Sequence, residues 1–145
     1  MKYSFNKSVM SMLAALFILL LSFGLKAEIS VIVSSSSGVS SADMKAVKKV
    51  FLGKKQALGG VDVTAGDQEE GSSVRDDFYM KVAKKNAAKL KNYWSKMIFS
   101  GKAIPPEVIG DDAAMITWVA SKKNRIGYVD SSAVNSSVKV VLKVP

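Results

Sequence analysis

The chain has 145 residues, with 21 Lys and Arg against 12 Asp and Glu, and it contains neither cysteine nor histidine. Their absence removes disulfides, a lipid-modified cysteine, thiolate or imidazole metal sets, and Ser-His or Cys-His catalytic pairs, so the expectation is a non-enzymatic protein without metal or cofactor. A formal charge of +9 suits anionic ligands or surfaces, and equally keeps a small domain soluble.

Lys2 and Lys7 precede an uncharged apolar run from Val9 to Phe23, and Leu25-Lys26-Ala27 ends in a small residue. This order predicts a secretory leader over residues 1–27, cleaved after Ala27. An uncleaved anchor is the other reading of the run, which is short against the roughly 20 apolar residues that a span needs. Loss of the leader removes Lys2, Lys7 and Lys26 and lowers the formal charge from +9 to +6. The exported part, 28–145, has the size of one domain, with no membrane span left in it.

Glu28 to Val33 (EISVIV) reads as a buried strand, ended by the serine run Ser34 to Ser37. From Ser40, SSADMKAVKKVFLG has its apolar residues at helical spacing, with Ser40 and Asp43 as a capping-box-like start and Gly53 as the stop. Val61 to Ala65 alternates after Gly59-Gly60 and predicts a second strand. A glycine turn through Gly66 and Gly71 then leads into a helix beginning near Ser72 or Ser73, with Asp76 and Asp77 in its first turns. Another helix is predicted from Ala87 to Phe99, closed by Gly101. Lys102 to Gly110 reads as a connector because of Pro105-Pro106. Asp111-Asp112 opens a helix to about Ser121, and Arg125 to Val129 and Ser137 to Val144 read as strands. Strands separated by helices give an α/β sandwich with a mixed sheet, in which the first and last strands need not be neighbours.

Chemistry concentrates in Asp67-Gln68-Glu69-Glu70-Gly71-Ser72-Ser73-Val74-Arg75. Free N–H groups at a helix start, serine hydroxyls and a nearby arginine suit a phosphate- or sulfate-like oxyanion. A plain serine cap, with Arg75 paired to a local carboxylate, accounts for the same residues. Ser35 and Ser36 are candidates for further hydroxyl donors, should the topology bring the strand ends together. The clustered acids lack the partners of a hydrolase site. The lysines are spaced along helix faces without interleaved aromatics, which speaks against nucleic acid.

VKKVFLGKK, then VDVTAGDQEEGSSVRDDFYMKV, and later YWSKMIFSGKAIPPEVIGDDAAMITWVASKKNRIGYVD, resemble the phosphate-binding proteins of ABC uptake systems in their small PBP-like members. The resemblance covers nearly all of the exported part. It implies a periplasmic location and a single lobe of a type II periplasmic-binding-protein-like fold, a mixed sheet with about four helices. It carries over Ser72 directly and Glu70 approximately; joined to the turn read above, the candidate oxyanion site is Gln68, Glu70, Gly71, Ser72, Ser73 and Arg75, with Ser35 and Ser36 as further candidates. Glu70 would accept the proton of a phosphate monoanion. Gln68 stands where the family has arginine, and Ser72-Ser73-Val74 stand for its Ser-Gly-Thr. Full-length members close two lobes on the ligand, so the partners implied are phosphate or a similar oxyanion, and an ABC permease or a second copy. The alternative is a lobe that has lost the ligand and serves as an interaction module.

Overall fold

Strand β1, Ile29–Ser34, is buried along its whole length, which follows from its β-branched, uncharged composition. It runs antiparallel to β6, Arg125–Asp130, with Ile29 opposite Asp130 and Val33 opposite Ile126. On its other side it runs antiparallel to β7, Val138–Val144. The first and last strands are therefore neighbours. Strand β4, Thr64–Gln68, is parallel to β6, and β5, Glu107–Gly110, is parallel to β4. The five-stranded mixed sheet has the order β5-β4-β6-β1-β7. The computed structural model describes residues 27–145, and the expected leader, apart from Ala27, lies outside the described residues.

The alternation of β1 divides the core in two. Ile29, Val31 and Val33 join the larger cluster with helices α1 (Met44–Phe51), α2 (Ser73–Ala83) and α3 (Ala87–Phe99). Ile32 faces the other way, to Met115, Ile116 and Val119 of α4, Asp112–Ala120. Three helices cover one face and one covers the other, as period-2 strands between helices require. Among the described residues, no helix is long and apolar enough to cross a membrane.

Several predicted boundaries move. Asp43 alone caps α1, its side chain accepting from Ala46 N at 2.6 Å, so Ser40 lies outside the helix. The stretch 61–65 belongs to two strands. Val61–Asp62 (β3) pairs with Ala57–Leu58 (β2) across Gly59-Gly60, and both glycines have positive φ, as two-residue hairpin turns demand. Strand β4 then continues through Asp67 and Gln68, which were expected in the turn. Glu107–Gly110, expected as connector, is one of the sheet's two edge strands.

Close approach of α4 to the sheet depends on Gly127, where a Cβ would lie 2.9 Å from Met115 Cγ and 3.1 Å from Val119 Cγ2. Both neighbours are fully buried and have no room to retreat. Gly127→Ala is therefore expected to cost about 1–3 kcal/mol through overpacking, read as a lower urea midpoint at unchanged slope. Wild-type stability in this variant would show that α4 is not seated on β6 as described.

Candidate functional site

Strand β4 ends in two buried polar residues, Asp67 at 2% and Gln68 at 1% exposure. A carboxylate out of water needs donors, and Asp67 has four. Oδ1 accepts from Gln68 N at 2.9 Å and from the Tyr128 hydroxyl in a short hydrogen bond. Oδ2 accepts from Arg75 Nε and from the Tyr79 hydroxyl, each at 3.2 Å. Arg75 and Tyr79 lie one turn apart on α2, and Tyr128 lies on the central strand β6, so this one carboxylate joins three elements.

The electrostatic consequences follow from burial. Tyr79 and Tyr128 titrate well above the ordinary phenol range, first because burial disfavours the phenolate and then because Asp67 lies beside them. For Arg75, burial acts to lower the value, but the charge of Asp67 and its hydrogen bond outweigh it and the guanidinium is held above its ordinary value. The ring of Phe78 stacks on Tyr128 with centroids 3.9 Å apart, and Phe51 meets Phe78 edge-on at 4.9 Å. These rings keep water from the pair.

Gln68 is a second junction. Its Nε2 donates to Asp112 Oδ1 at 2.6 Å and to the Tyr128 carbonyl at 3.1 Å. Its Oε1 accepts from Ser72 Oγ at 2.9 Å. Ser72 is also the N-cap of α2, accepting from Arg75 N at 3.3 Å. The predicted serine cap and the predicted pairing of Arg75 with a carboxylate are thus both present, although the carboxylate is Asp67. Helix geometry leaves the N–H groups of Ser73 and Val74 without intrahelical acceptors. Around them are Glu70, Gly71 and Ser73, all exposed, with Gly71 at φ 89° in the turn.

Gln68, Glu70, Gly71, Ser72, Ser73 and Arg75 therefore come together at the C-terminal end of β4 and the start of α2. Ser35 and Ser36 do not join them. Strand β1 runs antiparallel to β6 and β4 parallel to it, so the serine run emerges at the opposite end of the sheet, where Ser35 N meets Ser137 O at 3.2 Å. Sequence reasoning included Asp67 in the segment without giving it a role, and missed Tyr79, Tyr128 and Asp112. The available signal was Tyr128, an inward residue of an apolar strand whose hydroxyl needs a partner.

A groove of about 280 Å³ opens beside Arg75 and Glu70, between Lys91 and Trp94 of α3 and Val108 of β5. Trp94 has a buried Nε1 without a hydrogen-bond partner among the described residues. No group of three acidic residues is arranged to hold a metal ion among the described residues.

No protein-family model and no curated protein matches the chain. Solved structures do. One from Clostridium perfringens, assigned as the substrate-binding protein of a phosphate ABC transporter and solved with bound phosphate, is similar at TM-score 0.64 and 24% identity. The match covers 79% of this chain and 45% of that one. An ABC-type phosphate transport receptor from Vibrio cholerae matches at TM-score 0.62 and 16% identity, over 79% of this chain and 46% of the other. The chain spans about half the length of these proteins, and at these identities the likeness gives the fold: a single lobe of a periplasmic-binding-protein-like architecture.

Because the native state keeps Tyr79 and Tyr128 protonated while unfolded tyrosines ionise near pH 10, the unfolded chain binds fewer protons above that pH. Stability from these groups is complete below about pH 10 and falls as pH rises further. Denaturant titrations at neutral and alkaline pH should show Tyr79→Phe less stable than wild type at pH 7 by about 1 kcal/mol, with a gentler alkaline decline. An equally steep decline in the variant would remove Tyr79 from the buried network.

Proposed function

We propose that residues 28–145 are an exported, periplasmic binding domain that holds a small oxyanion, phosphate or a similar group, as one half of a cleft serving ABC-type uptake. The observation that carries this reading is the join of β4 to α2. The N–H groups of Ser73 and Val74 and the Ser73 hydroxyl lie at a helix N-terminus, where the dipole favours negative charge, with Arg75 in the same turn. The fold is shared with a protein solved with bound phosphate, which supports the choice of ligand class. Glu70 takes the part of acceptor for a protonated oxyanion. The role is binding without catalysis, and the leader over residues 1–27 is the export signal.

Half a cleft binds weakly, because exposed charge interactions are screened within about 8 Å at physiological salt. A second copy or another envelope protein, such as a permease, closes the site in this reading. A second reading, an interaction module without a small ligand, is favoured by one observation: both Gln68 amide donors are used on Asp112 and Tyr128, where the resemblance expects a cation for the anion.

Residues 27–145 contain every described element and both core clusters, so the chain without its leader carries its own core. Its melting temperature should rise with phosphate or sulfate, and not with chloride at equal ionic strength. Ligand at a hundredfold excess over its dissociation constant adds about 2.7 kcal/mol. Ser73→Ala should reduce the shift and Arg75→Lys should weaken it further. Absence of any shift at millimolar phosphate overturns the oxyanion reading in favour of the interaction module.

A further inference from the structure

From Phe78 to Pro106 the chain carries seven lysines and no aspartate or glutamate. Lys84, Lys89, Lys91, Lys96 and Lys102 are exposed, and Lys81 and Lys85 are half-buried. The two ion pairs among the described residues, Arg75 with Asp67 and Lys143 with Glu28, involve none of them. The helix dipole accounts for Lys81 and Lys84 at the end of α2 and for Lys96 in the last turn of α3, but not for Lys89 and Lys91. Lys89 and Lys91 lie in the first turns of α3, where the dipole is positive and cations are unfavourable, and that turn has no acidic residue.

Exposed apolar side chains border Lys91 and Lys102. Among the described residues five large hydrophobic side chains are exposed, and four of them, Ile98 (53%), Phe99 (95%), Ile104 (80%) and Val108 (59%), lie on the end of α3, the following connector and β5. Ile98 and Ile104 share one groove with Lys102, and Ile98 and Val108 share the adjoining groove with Lys91. Phe99, at the last residue of α3, is almost wholly in water. Lys91 and Lys102 beside exposed isoleucines, with the phenyl of Phe99 protruding from the end of the same helix, form the pattern of interfacial membrane contact, in which apolar groups enter the acyl boundary and ammonium groups stay with the headgroups.

We propose that this face, α3 with its connector, docks on a surface of anionic lipid headgroups. Charge complementarity selects that occupant. A second copy placed on this face by a twofold axis would set lysines against lysines. Strand addition to β5 is opposed by the edge itself, which is four residues long and guarded by Pro105, Pro106 and Glu107. A lipid surface supplies dense negative charge beside apolar depth. The inference goes beyond the oxyanion reading and does not depend on it.

The test is sedimentation of residues 27–145 with vesicles at physiological salt, either pure phosphatidylcholine or phosphatidylcholine with about 30% phosphatidylglycerol, a charge density at which each nearby lysine is worth about fivefold in partitioning. Binding is expected to the anionic vesicles only. Lys96→Glu with Lys102→Glu should weaken it by more than tenfold, by the same per-lysine factor. Phe99→Ser with Ile104→Ser should weaken it severalfold at an unchanged melting temperature, because both side chains are exposed. Ser73→Ala should leave it unchanged, which separates this outcome from the fate of the oxyanion reading. The proposal is overturned by no binding, by equal binding to both vesicles, or by insensitivity to both double substitutions. It is also overturned by self-association that Phe99→Ser abolishes in place of vesicle binding, since that assigns the patch to a protein contact.

Discussion

The structure depends on a buried carboxylate. Asp67 sits at the end of β4, where the low dielectric makes an unpaired charge cost several kcal/mol, and its position is tolerable only because Arg75, Tyr79, Tyr128 and the Gln68 N–H all donate to it. Those donors come from α2 and β6 as well as from β4 itself. The carboxylate therefore fixes the axial position of α2 along the sheet, and with it the location of the free N–H groups of Ser73 and Val74. The aromatic packing of Phe51, Phe78 and Tyr128 keeps water away, so each hydrogen bond acts at more than its solvent-exposed strength. An apolar residue at position 67 would satisfy the core more cheaply, but would leave Arg75 without a partner and two phenols unsatisfied.

Gln68 shows how one neutral residue alters the character of the turn. An amide has two donor hydrogens and one acceptor oxygen, and here the donors go to Asp112 and Tyr128 while the oxygen takes Ser72. The turn is thereby braced between the starts of α2 and α4. An arginine at this position would keep donors in excess of Asp112 and the Tyr128 carbonyl, and would add a charge. With glutamine the internal hydrogen bonding is complete, so a ligand at this turn relies on the helix N-terminus, the Ser73 hydroxyl and Arg75. That is a short list for a dianion, and it is why the proposed site needs a second body to exclude water.

Legibility in the sequence follows the range of the deciding interaction. The helix Ala87–Phe99 was readable because its apolar stripe and Gly101 are local signals. The strand that ends the chain was readable for the same reason, from its alternation. Strand β5 was not, because Pro105-Pro106 suggests a connector and only pairing with β4, some forty residues earlier, makes Glu107–Gly110 a strand. Strand β4 was displaced because Gly66 looks like a turn. In the fold this glycine is a packing position, where a Cβ would lie 2.7 Å from Trp118 and 2.8 Å from Ile109. The turn residues Gln68 to Arg75 were identified from serines and glycines next to one another in sequence, whereas the partners that set their geometry, Asp112 and Tyr128, are 44 and 60 residues from Gln68. The expectation for Ser35 and Ser36 failed on strand direction, which composition does not encode.

The charge of the domain is segregated as well as positive. Residues 67–77 hold five acidic side chains and one arginine, and residues 78–106 hold seven lysines and no acid. The boundary falls inside α2, so the acidic turn and the basic face of α3 are neighbours on one rigid body. Such a separation gives the domain a field that extends beyond contact distance and orients it before it touches a charged surface. At an anionic membrane the basic face turns inward, with Glu70, which lines one groove with Lys91, Ile98 and Val108, at the border of the contact. On the two proposals together, the groove bordered by Arg75 and Glu70 belongs to both, so docking of α3 at the lipid surface and completion of the cleft meet at one place. The positive charge of the lysines would also raise the local concentration of small anions next to a turn whose own carboxylates repel them, an imbalance that only a partner with further donors at Ser73 and Arg75 corrects.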